Sequence, residues 1–161
     1  MSNDTAGYAS DIVRILTDKG MTISFAESLT GGMISSEIVS VPGASACFEG
    51  SVVSYSNDVK IKILGVLDDV IRNFGAVSEL CAKQMASGVR RLMDTDIAVS
   101  VTGIAGPDGG TDDKPVGTVY IGLSSQDSCS AKHYVFEGDR EAVRRQTVSE
   151  ALRMVLDLIN E

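Results

Sequence analysis

The chain has 161 residues, and by length it is expected to form a single domain over 1–161 with one well-formed core. Hydrophobic residues make up 43% and charged residues 22%, an ordinary globular balance, while the formal net charge of −8 argues against a partner of duplex nucleic acid, which needs a basic face. Cys47, Cys81 and Cys129 lie far apart without a CxxC pair, and no apolar run near 18 residues or secretory leader is visible, so the reading is a cytoplasmic protein with reduced thiols, away from membranes.

Residues 4–19 carry Tyr8, Ile12, Val13, Ile15 and Leu16 at helical spacing, followed by Gly20 as a helix-ending glycine. Residues 21–26 alternate like a strand, and a second helix runs through Met33, Ile34, Ile38 and Val39 to Pro42-Gly43. Residues 48–55 read as a strand and 57–64 as a short helix. After a break at Gly75-Ala76-Val77, Ser78 caps a long helix to about Met93, with Glu79 in its first turn. Strands at 96–102 and 118–124 flank a glycine-rich loop, and a third strand follows at 132–137. The last helix, 139–159, places Val143, Val148, Leu152, Val155, Leu156 and Ile159 on one stripe. Helices at both ends and between strands predict a three-layer α/β/α sandwich, and the closely spaced last strands predict hairpins, hence a mixed β-sheet.

Four places carry polar groups at element junctions. The loop Thr102-Gly103-Ile104-Ala105-Gly106-Pro107 leaves a strand end, where open α/β sheets place ligands. Glu27-Ser28-Leu29-Thr30-Gly31-Gly32 joins strand to helix; the free amides there suit an anion or a plain helix cap. Gly43-Ala44-Ser45 precedes a strand that leads to Tyr55-Ser56-Asn57-Asp58-Val59-Lys60. A serine nucleophile needs a base, and His133 is the only histidine and stands in no serine–carboxylate pattern, so a lysine made neutral by burial is the remaining activator, with Tyr55 placed to relay a proton. Arg140, Arg144 and Arg145 follow the cap residue Asp139 and read equally as a solvated helix face or a phosphate clamp. No metal-ligand spacing is present.

In order, Ala26-Glu27-Ser28-x-Thr30-Gly31-Gly32, Pro42-Gly43-x-Ser45, Tyr55-Ser56-Asn57-x-x-Lys60, Gly75-Ala76-Val77-Ser78, Thr102-Gly103-Ile104-Ala105-Gly106-Pro107, Lys114-Pro115-Val116-Gly117 and Gly138-Asp139-Arg140 closely resemble the CinA C-terminal domain family. The likeness spans almost the whole chain. Its stand-alone bacterial members, the PncC-type enzymes, are nicotinamide mononucleotide deamidases of NAD salvage. The resemblance therefore implies an amidohydrolase that converts nicotinamide mononucleotide to nicotinate mononucleotide and ammonia, with no cofactor or metal.

The resemblance assigns Ser45 as nucleophile, Lys60 as general base and Tyr55 as assistant; Ser28, which also lies at a strand-to-helix junction, is the rival nucleophile. Thr102 and Arg140 match substrate-side positions, and Ser28, Thr30, Gly31 and Gly103 complete the expected substrate-binding set. The oxyanion donors are expected near Ser45-Ala46 or in the Gly103 loop, and which loop holds the phosphate stays open. Leu29 replaces a cysteine common in the family, at a position outside the catalytic set. The additional N-terminal domain of larger members is expected to be absent, and a homo-oligomer is the expected assembly. The alternative is a CinA-like nucleotide-binding module without hydrolysis, acting through partners in competence or DNA repair.

Overall fold

The computed structural model describes residues 4–161. Asp4 accepts a hydrogen bond from the Gly7 amide and opens α1 (Thr5–Lys19), which Gly20 ends in the left-handed region at φ 65°. Five strands follow: β1 (Ile23–Glu27), β2 (Phe48–Val53), β3 (Ile97–Gly103), β4 (Thr118–Ser124) and β5 (Cys129–Val135). They form one sheet in the order β2-β1-β3-β4-β5. β1 is parallel to β2 and β3, whereas β3–β4 and β4–β5 pair antiparallel, so the sheet is mixed as the hairpin spacing predicts. α2 (Met33–Val39) and α6 (Arg140–Ile159) join α1 on one face, and α5 (Glu79–Met93) crosses the other with α4 (Asp68–Phe74) against it.

The two faces differ in side-chain size, and that difference sets how close each layer lies. Ile23, Phe25, Val99, Val101, Val119 and Ile121 meet α1 and α6 in the larger core. Their neighbours on the α5 face are small or polar: Ser24, Ala26, Ala98, Ser100 and Gly122. Ser100 Oγ donates to the Ala82 carbonyl of α5, and a Cβ on Gly122 would collide with that carbonyl. A helix can settle this low only over such a surface. Leu64, Val66, Val70, Cys81, Met85 and Val89 then close a second, smaller core beneath it.

Two short elements escape the sequence reading. The helix α4 and a single 3₁₀ turn at Ala44–Ala46 have too few residues to show a period. The approach to α4 depends on Gln84 of α5, whose Oε1 accepts from the Leu67 amide, a contact 17 residues away. β5 begins at Cys129, three residues ahead of the expected start, because its edge position leaves Cys129, Ser130 and Lys132 exposed and free of apolar patterning. Among the described residues no helix is long and apolar enough to cross a membrane.

Gly88 of α5 faces the segment that leads to α4, where a Cβ would fall on the carbonyl oxygen of Leu64. Gly88→Ala is therefore expected to lower stability by about 1–3 kcal/mol, read as a lower urea midpoint with an unchanged slope. An unchanged midpoint would show that the Leu64 segment moves aside freely.

Candidate active site

Because β1, β2 and β3 share a direction, their carboxyl ends open on the same edge of the sheet. Ser28 follows β1, Ser54 and Tyr55 follow β2, and Thr102 and Gly103 end β3. The chain turns at once into α3 (Asn57–Lys62), capped by Ser56 Oγ on the Val59 amide, and α3 carries Lys60. Ala76 and Val77 of the α4–α5 connection and Arg140 of α6 complete a cleft of about 280 Å³. A hollow of about 320 Å³ between α1, α2 and α6 holds Glu37 and an Arg145 already paired with Glu141, and no buried ionisable group lines it.

Lys60 is the chemical centre of the cleft. Only 2% of it is exposed, and its Nζ lies 2.7 Å from the Ser54 carbonyl oxygen, 3.1 Å from that of Tyr55 and 3.0 Å from Ser28 Oγ. Desolvation lowers its pKa from the ordinary lysine value. No carboxylate opposes that shift. The ionisable neighbour is Cys81, whose own pKa burial pushes up to about 11, so it stands beside the lysine as a neutral thiol. The three partners also fix the amine's orientation. Two are carbonyls, which only accept: a charged amine donates to all three partners, whereas a neutral one gives its two N–H bonds to the carbonyls and turns its lone pair to the Ser28 hydroxyl.

The turn that carries Ser28 is held on both sides. The Ser28 amide donates to the Val101 carbonyl of β3, and the Ser28 carbonyl accepts from Gly31. Glu27, fully buried, accepts from Thr30 Oγ1 (2.6 Å), the amides of Ile34 and Ser35, and Ser35 Oγ. On the other side Arg144 donates through Nε to the Leu29 carbonyl at 2.8 Å and through Nη2 to that of Thr30. Leu29 itself is buried in the larger core, so an apolar residue fits there.

This geometry sorts the expected site residues. Ser28, Tyr55, Lys60, Thr102, Gly103 and Arg140 line one cleft. Ser45 does not join them. It lies in the 3₁₀ turn ahead of β2, beside Val41, Pro42 and Phe48, and the six residues of β2 at about 3.3 Å each put roughly 20 Å between it and the edge that holds Lys60. The expected Ser45–Lys60 pair is therefore corrected to Ser28–Lys60, and oxyanion donors near Ser45-Ala46 leave the site with it. Tyr55 is corrected in a subtler way: its backbone carbonyl holds Lys60, while its exposed hydroxyl faces Arg140 Nη2 at 3.5 Å. Thr30 and Gly31 are corrected too. The first amides of α2 already bind the Glu27 carboxylate, Thr30 is fully buried, and Gly31 is exposed beside Arg144 outside the cleft lining. Thr102 donates to the Ala76 carbonyl and so pins the cleft wall, and Arg140 Nη1 donates to the Gly106 carbonyl of the glycine-rich loop at 2.7 Å.

Sequence reasoning passes over Glu27 and Asn57. A carboxylate that ends an apolar strand just before a Gly-Gly helix start is the signal for the first. A polar residue one helical turn before Lys60 is the signal for the second. Among the described residues no group of three or more His, Cys, Asp or Glu is arranged to hold a metal ion.

The class that these features define is an α/β/α domain whose mixed sheet opens a polar cleft, with a buried lysine–serine pair, at the carboxyl edge of its parallel strands. The chain belongs to the CinA family: residues 5–159 match the CinA C-terminal domain. It is 49% identical over 152 residues to a CinA-like protein of Geobacter metallireducens, covering 94% of this chain and 37% of that one. A CinA-like protein of Endomicrobium trichonymphae is also 49% identical, with 95% and 35% covered. The chain thus spans little more than a third of the length of these curated relatives. Among solved structures, the competence/damage inducible protein CihA of Agrobacterium tumefaciens superposes with a TM-score of 0.92 at 37% identity, covering 98% of this chain and 96% of that one. A CinA superfamily protein of Klebsiella pneumoniae gives 0.93 at 30% identity with 98% of both chains covered.

A lysine whose pKa is lowered in the folded state binds fewer protons there than in the unfolded chain. Unfolding then takes up a proton, and stability rises with pH between the lowered pKa and about 10.4, the value of a free lysine. Lys60→Met removes that dependence. The variant is expected to be more stable than the parent at neutral pH, with the gap closing as pH rises toward 10 in urea titrations. A gap that stays constant with pH would mean that Lys60 keeps its ordinary pKa.

Proposed function

We propose that this chain hydrolyses the carboxamide of nicotinamide mononucleotide to nicotinate mononucleotide and ammonia, with Ser28 as nucleophile and Lys60 as general base. One observation carries the reading: the Lys60 amine is buried, held by two carbonyls and directed at Ser28 Oγ 3.0 Å away. A neutral amide is a poor electrophile, and its hydrolysis needs such an activated nucleophile. Lys60 takes the Ser28 proton as Oγ attacks the carbonyl carbon. The resulting ammonium returns that proton to the departing nitrogen, releasing ammonia and leaving an ester on Ser28. Water then attacks the ester, Lys60 accepts its proton, and Ser28 leaves reprotonated. Family membership supports the substrate. Arg140, exposed at the rim and with guanidinium donors beyond its bond to Gly106, supports recognition of the phosphate without a basic protein overall.

Ammonia release from nicotinamide mononucleotide and nicotinamide riboside, assayed in the presence of a chelator, tests this directly. Ser28→Ala and Lys60→Arg are expected to lose at least about a thousandfold in kcat, the arginine because it stays protonated. Ser45→Ala should retain activity. Arg140→Ala should raise KM for the mononucleotide about tenfold or more and change the riboside little. Full activity in Ser28→Ala would overturn the assignment. Binding of the mononucleotide without ammonia release would instead favour a non-catalytic nucleotide-binding module.

A further inference from the structure

Among the described residues, two polar side chains at the cleft have no protein partner: Ser54 Oγ, which is fully buried and outside the lining, and Asn57, which is exposed and lines it. Lys60 is fully engaged, Ser28 Oγ meets Lys60, Thr102 Oγ1 donates to Ala76, Arg140 to Gly106, and the Tyr55 hydroxyl faces Arg140. Asn57 lines the same cleft, and among the described residues its side chain makes no hydrogen bond. Neither of its neighbours needs it. Ser56 caps α3, and Asp58 pairs with Lys62. Asn57 lies three residues before Lys60 on α3, so the two share a helix face one turn apart. An asparagine carries a donor and an acceptor side by side, the complement of a primary carboxamide.

We propose that Asn57 is a further catalytic residue that reads the scissile carboxamide; the proposal rests on the Ser28–Lys60 reading above. Its Nδ2–H donates to the carbonyl oxygen, where negative charge develops on attack, and its Oδ1 accepts from the amide nitrogen that leaves as ammonia. The group to be recognised is thus a primary amide, and an ester offers it only half of the pairing.

The test compares kcat/KM for nicotinamide mononucleotide with that for the methyl ester of nicotinate mononucleotide, in wild type, Asn57→Ala and Asn57→Asp. Asn57 is exposed at the first position of α3, where aspartate is favourable, so both variants should keep the wild-type melting temperature. Asn57→Ala is expected to lose about tenfold or more on the amide beyond its loss on the ester, as removal of the Oδ1 contact requires. Asn57→Asp keeps an acceptor but no donor and should lose activity on both substrates. Equal losses on amide and ester in Asn57→Ala, or no loss in either variant, would overturn the proposal. Failure of the wild type to release ammonia would instead bring down the parent reading, and this one with it.

Discussion

An amine buried without a counter-ion is the constraint around which this molecule is arranged. Enclosing an ammonium in a low-dielectric interior is costly, and Lys60 has neither a carboxylate nor a thiolate beside it to offset that cost. Desolvation therefore lowers its pKa and favours the neutral form relative to a free lysine. Once neutral, it has two N–H bonds and one lone pair to place, and the Ser54 and Tyr55 carbonyls leave only one direction for the pair. Ser28 occupies that direction. In the proposed reaction, the same geometry that makes the amine tolerable in the interior lets it serve as the base.

The scaffold serves this arrangement at two levels. The parallel pairing of β1 with β2 and β3 delivers Ser28, the two carbonyls and Thr102 to one edge, with registers fixed by ladders through Glu27↔Val53 and Glu27↔Val101. The turn after β1 is then gripped from opposite sides by a buried anion, Glu27, and a cation, Arg144. Glu27 satisfies orphan amides at the start of α2 that would otherwise attract a ligand anion. That leaves Arg140 at the cleft rim, and not the helix start, as the group proposed to meet the substrate's phosphate.

Most of the fold is legible in the sequence because its signals are local. Helical stripes in α1 and α6, caps at Ser78 and Asp139, and closely spaced final strands all report on neighbours in the chain. The α4 helix is not legible, since its anchoring comes from Gln84 across the fold. The site divides on the same principle. Lys60 emerges by elimination of other bases, and Thr102 and Arg140 by the family resemblance of the motifs that hold them. Ser45 and Lys60 flank the six-residue β2 and so stand at its opposite ends, a separation that shows only once the extent of that strand is known. That Ser28 joins Lys60 is not local, since it depends on the parallel pairing of β1 with β2. Thr30 and Gly31 mislead for a related reason, because the sequence does not reveal that Glu27 folds back onto the helix start they open.

The central claim is that the Lys60 amine makes Ser28 a nucleophile, and the covalent ester is its most direct signature. The measurement is rapid acid quench of the enzyme during turnover of nicotinamide mononucleotide, followed by proteolysis and mass spectrometry of the peptides. The account predicts an acyl adduct on the peptide containing Ser28, present in the parent and absent in Lys60→Met. An adduct on the peptide containing Ser45, or turnover with no adduct on any serine peptide, would contradict it.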